Sequence, residues 1–191
     1  MHRNAVRMTC VLGAALAGSL LAPAVAADAP PPAYYVDKGG CPFECCTYRT
    51  WSVEKDTVLF ASPDAKAKQV GSVKAHESVR GVTGEVHARA THFTFKRAHE
   101  GHKAGDVLTV YTTSGEGFYG VWHNGKLVSE DLGIGPDGDT NGQTCEHADD
   151  FCWGTFDHPL DFDWWVKIKR ADGVTGWSNE PDNFGDKDSC G

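Results

Sequence analysis

The sequence predicts an all-β chain, and three observations predict it. The first is the run at residues 163–178, DWWVKIKRADGVTGWS. Trp164, Val166 and Ile168 alternate there with Trp165, Lys167 and Lys169, the period of two that marks a strand with one buried and one wet face. The second is punctuation: 22 glycines and 9 prolines are spread through 191 residues, and no long stretch shows helical periodicity. The third is a pair of hairpin signals, Asn124-Gly125 and Asp172-Gly173, in which glycine takes positive φ at no steric cost.

The chain opens as a secretory signal peptide over residues 1–26. Arg3 and Arg7 supply a positive start, residues 11–21 are apolar but too short to span a bilayer, and Ala24-Val25-Ala26 is a small-residue cleavage site. Cys10 lies inside this segment without the small-residue run of a lipoprotein box, so the expected product is free, exported to the periplasm or secreted, and not membrane-bound after cleavage. Removing Arg3 and Arg7 makes the formal net charge of −8 two units more negative. An acidic chain is a poor partner for nucleic acid or an anionic membrane. Residues 27–40 read as an extended arm, within which residues 28–32 are Pro/Ala-rich and have nothing to bury. Residues 41–191 are long enough for one domain with its own core.

Export also governs the cysteines. Seven are present, and six remain once Cys10 is removed: Cys41, Cys45, Cys46, Cys145, Cys152 and Cys190. An even number in an oxidising compartment predicts disulfides. Cys145 and Cys152 are close in sequence and are the expected pair. The other four then make two bonds, and however they pair, one ties the N-terminal segment to the C-terminus. A metal site built from thiolates and a histidine is the competing reading, but the C-x-x-x-C-C run lacks the spaced pairs of a zinc site.

Residues 58–64, VLFASPD, read as a strand and a proline-containing loop; residues 70–77, VGSVKAHE, and 79–82 continue the pattern. With Trp165, Lys167, Ile168, Asp172, Gly173, Thr175, Gly176 and Trp177 in the closing hairpin, both halves resemble the bacterial Src homology 3 domains, in order. His76 stands where that family usually has glycine. The resemblance implies a small barrel that binds cell-wall peptides or protein segments along an aromatic-lined groove. Between the halves lies an insertion, about residues 87–163, too long for a plain loop. Strand-like alternation at 91–96 and 106–111, and a hairpin at 118–128 around Asn124-Gly125, predict that it carries its own β-sheet.

Within the insertion, Asp137, Asp139 and Asn141 put oxygen donors at alternate positions, followed by Gly142 and then Glu146. Hard oxygen ligands on a tight loop are what calcium requires. The D-x-D-x-N-G-x-x-C-E spacing resembles the excalibur calcium-binding motif of exported bacterial proteins. That resemblance implies side-chain ligation by Asp137, Asp139, Asn141 and Glu146, with a backbone carbonyl from Gln143. A plain acidic loop is the alternative, since Asp/Asn/Gly runs also recur in turns.

His87, His92, His99 and His102 fall in one stretch, but on a strand His87 and His92 would face opposite ways, which argues against one shared metal site. Catalytic signatures are absent: there is no G-x-S-x-G elbow and no H-E-x-x-H, and His99-Glu100-Gly101-His102 is misspaced for a helical zinc pair. The expectation is therefore an exported, non-catalytic binding module of Src homology 3 type, with calcium as a stabilising ion and a cell-wall peptide or a protein as partner. The aromatic residues near turns supply the binding candidates Trp165, Tyr119 and Trp122. Trp165 leads because it shares a face with Lys167 and Lys169. The alternative is a cell-wall hydrolase or other secreted enzyme, with Asp157, Asp161 and Asp163 as its acidic site.

Overall fold

The computed structural model describes residues 29–133 and 153–190. Among them the strands are β1 (Tyr34–Lys38), β2 (Thr50–Ser52), β3 (Thr57–Phe60), β4 (Gln69–Val73), β5 (Ser78–Arg89), β6 (Thr91–Phe95), β7 (Val107–Gly115), β8 (Phe118–His123), β9 (Lys126–Asp131), β10 (Gly154–Phe156), β11 (Asp161–Lys169) and β12 (Thr175–Ser178). A 3₁₀ turn, Pro181–Asn183, follows. The fold is all-β, with two antiparallel sheets. One runs β1-β5-β11-β12-β3-β4, with β2 also on β5; the other runs β10-β6-β7-β8-β9.

The closing hairpin forms as its period of two requires. Val166 and Ile168 are fully buried, while Lys169 is exposed. Gly173 turns the chain at φ +88°, and Arg170 and Val174 close the hairpin, the Arg170 amide donating to the Val174 carbonyl at 2.9 Å. The core behind this strand is built on Trp51, which has no exposed surface and meets the rings of Tyr48, Trp164 and Phe184 at 5.6, 6.4 and 5.9 Å. Trp51 lies flat against β5 because Gly81 has no side chain; a Cβ there would sit 2.6 Å from the indole.

The insertion is a separate layer whose ends are neighbours. The chain leaves β5 at Arg89 and re-enters β11 at Asp161, and these two residues are register partners, as are His87 and Asp163. The expected strands and the Asn124-Gly125 hairpin are present, with His123 paired to Lys126 across the turn. Phe93, Phe95, Val110, Tyr119 and Val121 share one face of this second sheet, closed over by Leu132 and Phe156. Tyr119 is therefore a core residue, 2% exposed and packed on Phe156 at 5.1 Å, and it presents no face to a groove. Its neighbour Trp122 points the opposite way by the same alternation.

That opposite face receives the arm. Residues 34–38 join the first sheet as an edge strand rather than remaining an unattached tail. Tyr35 packs on Tyr111 and Trp122 at 5.4 and 5.5 Å. The Tyr111 hydroxyl donates to the Pro32 carbonyl, and Trp122 Nε1 donates to the Ala29 carbonyl at 2.9 Å. Beyond the Pro/Ala-rich stretch, Tyr35 and the backbone around it thus find partners on the aromatic face of the second sheet.

The C-terminal segment returns to the start of the domain. Thr47 and Gly185 amides donate to the Lys187 and Ser52 carbonyls at 2.8 and 2.9 Å, and Val53 bridges Phe184. Two disulfides close this corner: Cys41–Cys46, and Cys45–Cys190 across 145 residues. The expected tie between the two ends is Cys45–Cys190. Cys145 and Cys152 lie outside the described residues.

Candidate functional site

Chemistry-bearing side chains collect on the outer face of the seven-stranded sheet, where β1, β5, β11, β12 and β3 lie side by side. Alternation along β5 puts Glu85 and His87 outward, opposite the inward-facing Val86 and Ala88. Register carries the row onward: Trp165 pairs with Glu85, and Trp177 pairs with both Lys167 and Phe60. The rings meet edge to face, Tyr34 with His87 at 6.1 Å and Phe60 with Trp165 at 6.0 Å, with His87 tilted on Trp165 at 6.4 Å. Lys167 Nζ stands 5.6 Å over the Trp177 ring, a cation–π geometry.

Mutual packing hides most of this aromatic surface. Trp165 and Trp177 keep 5% and 8% exposure, whereas Tyr34 keeps 50%. Trp165 is thus the floor of the band, not an open wall, and Tyr34 is its accessible ring. The alternation read from sequence placed Trp165 on a wet face; neighbouring aromatics from β3 and β5 cover it.

A polar relay crosses the band. Tyr34 Oη lies 2.7 Å from His87 Nδ1, and His87 Nε2 lies 3.2 Å from Glu85 Oε2. An ionised carboxylate only accepts, so in the neutral ring Nε2 carries the proton and Nδ1 accepts the phenol hydrogen. Burial, followed by the nearby Asp163 carboxylate, raises the Tyr34 pKa above its ordinary value, the Arg89 charge opposing and Glu85 adding to it. A phenol so held stays protonated, so it serves as a hydrogen-bond donor rather than a nucleophile.

The three candidate acidic residues have separate partners. Asp161 pairs with Arg89 at 2.9 Å, and Asp163 sits on the aromatic band. Asp157 accepts from the Thr91 hydroxyl at 2.5 Å and the His92 amide at 3.0 Å. Burial raises the Asp157 pKa, but these bonds, the His92 ring and the His158 charge outweigh it and hold the carboxyl well below the usual range. A carboxyl kept ionised is unsuited to donate a proton as a general acid. The competing thiolate-metal reading also fails for four of the cysteines. Among the described residues, the trio of close donor atoms is Glu44, Cys45 and Cys190, and its two sulfurs are already bonded to each other.

Of the three binding candidates, only Trp165 belongs to the band; Tyr119 and Trp122 are in the other sheet. Tyr34, Phe60 and His87 join it unannounced by local pattern, although Tyr34-Tyr35-Val36 is a strand-forming triplet inside a Pro-rich arm. The calcium candidates Asp137, Asp139, Asn141, Gln143 and Glu146 lie outside the described residues. No helix of the described residues is long and apolar enough to cross a membrane. Compared with protein-family models, with curated proteins and with solved structures, the chain matches none.

Proposed function

We propose that the chain is an exported, non-catalytic binding module of bacterial Src homology 3 type, which takes a short cell-wall peptide or protein segment across the band around Tyr34, His87 and Trp165. The observation that carries this reading is the band itself: aromatic rings and a satisfied polar relay assembled on one open sheet face, with Glu85 and Asp163 beside the exposed Tyr34. Aromatic anchors ringed by polar groups are the usual composition of a peptide-binding patch. The adjacent carboxylates favour a ligand carrying an amine.

The strand order supports the Src homology 3 assignment. The segments that resemble the family form β3, β4, β5, β11 and β12, which are contiguous in one sheet as β5-β11-β12-β3-β4. His76, at the family's glycine position, takes φ +71°, a conformation that favours glycine. The two disulfides support export.

The test is tryptophan fluorescence and calorimetry with soluble cell-wall stem peptides. Wild type should bind, and Tyr34→Ala should weaken binding about tenfold with unchanged stability. Absence of binding to cell-wall peptide, together with falling turbidity of a cell-wall suspension, would replace the module with a hydrolase. Calcium at Asp137, Asp139, Asn141, Gln143 and Glu146 is part of the same proposal. It is tested by a thermal melt in millimolar calcium against a chelator, repeated with Asp139→Ala.

A further inference from the structure

Register along β5 and β11 sorts the charges of the aromatic face into two ends, because direct cross-strand partners share a face. At the Tyr34 end most charges are balanced. Arg89 pairs with Asp161 at 2.9 Å, and Glu85 has His87 at 3.2 Å and Lys38 opposite it in register. Asp163 is the exception: it is exposed, sits opposite His87 in register, and has no ion pair among the described residues. After burial, its charge is the largest influence raising the Tyr34 pKa.

The other end carries cations. Lys169 stands opposite Arg80 in register, and both are exposed. Like charges directly opposite each other are destabilising, and among the described residues neither is paired with a carboxylate. Lys167, two positions back on the same face, lies over the Trp177 ring. The neighbouring Arg170 is already taken by Asp172 at 2.9 Å. Thr50 and Thr175 extend the row on both sides, as the register partners of Arg80 and Lys169. Two cations and two hydroxyls therefore stand in line across β2, β5, β11 and β12. A concavity of about 410 Å³, lined in part by Thr50, Arg80 and Lys169, opens there. In a chain of formal net charge −8, such a row is placed to receive an anion.

We propose, resting on the reading of the band as a peptide site, that its ligand is a short linear peptide bound in one direction. Its amine lies between the Tyr34 ring and Asp163, and its terminal carboxylate lies on Arg80 and Lys169. Asp163 and Lys169 are six positions apart on β11, about 20 Å of strand at about 3.3 Å per residue. An extended peptide of about five or six residues covers that distance once the reach of the lysine and arginine side chains is included. Its middle crosses the aromatic floor at Trp165. The Tyr34 ring holds the amine by a cation–π contact, and Arg80 gives the carboxylate charge-assisted hydrogen bonds. A carboxylate also relieves the repulsion between Arg80 and Lys169, which a neutral chain end leaves in place.

The test is calorimetric titration of the full chain with a synthetic cell-wall stem pentapeptide in three forms: both ends free, amines acetylated, and terminal carboxylate amidated. Each block should weaken binding to wild type about tenfold, the loss of one charged contact. In Arg80→Gln/Lys169→Gln, amidation should make no further difference, and in Asp163→Asn, acetylation should make none, while each variant keeps its sensitivity to the other block. Lys126→Gln, which alters an exposed lysine of the other sheet, should behave as wild type. If circular dichroism shows that the double variant is unfolded, Lys169→Gln alone serves in its place. Equal affinity of wild type for the three forms overturns the polarity and leaves the peptide band standing, as does an amidation penalty that survives in the double variant. Binding of none of the three forms overturns both.

Discussion

Removing the Cys45–Cys190 cross-link should cost the fold much more than removing Cys41–Cys46, and the difference can be worked from the chain. The two bonds close loops with sequence separations of 145 and 5 residues. The loop-closure entropy of the unfolded chain grows as 1.5R ln n, so the stabilisations are about 5 and about 2 kcal/mol, a difference of about 3 kcal/mol at 25 °C. The native ladder between the chain's two ends persists in either variant, because the Thr47–Lys187 and Ser52–Gly185 backbone bonds do not depend on sulfur. The effect therefore lies mainly in the unfolded state. The assay is urea unfolding, without reductant, of Cys45→Ser/Cys190→Ser and of Cys41→Ser/Cys46→Ser, each pair removed together so that no partner thiol is left to exchange. Equal costs, or a larger cost for the short loop, would refute the reasoning. A changed m-value would instead reveal a more expanded unfolded chain.

Ile168→Ala should cost about 2–5 kcal/mol as a buried cavity, against under about 0.5 kcal/mol for the exposed Lys169→Ala; urea melts of both check the strand register. Gly81→Ala should destabilise by about 1–3 kcal/mol from overpacking, because the new methyl meets the Trp51 indole, and Trp51 fluorescence should shift with it. Asp157→Asn should lower stability at neutral pH. Its carboxyl is held below its unfolded value, so its contribution is complete above about pH 3.9 and is lost as pH falls toward the folded value. Melts across pH 2–7 should therefore show a shallower acid loss in Asp157→Asn than in wild type.

Much of the architecture was legible in the sequence because its signals are short-range. The alternation around Val166 and Ile168 and the turn chemistry of Asp172-Gly173 and Asn124-Gly125 are read within a few residues, and each marks an element that the structure contains. The insertion and the tie between the two ends followed from length and cysteine parity. Tertiary structure decided what covers each strand's second face, since that depends on residues far along the chain. Trp165 has the local pattern of a wet-face residue, yet Phe60 and His87, from strands distant in sequence, bury it. Tyr119 and Trp122 share a hairpin, yet alternation sends one into a core and the other against the arm. The arm is held by its ladder with β5, by Tyr35 packing on Tyr111 and Trp122, and by hydrogen bonds that Tyr111 and Trp122 donate to its backbone, partners that lie too far along the chain for local periodicity to encode.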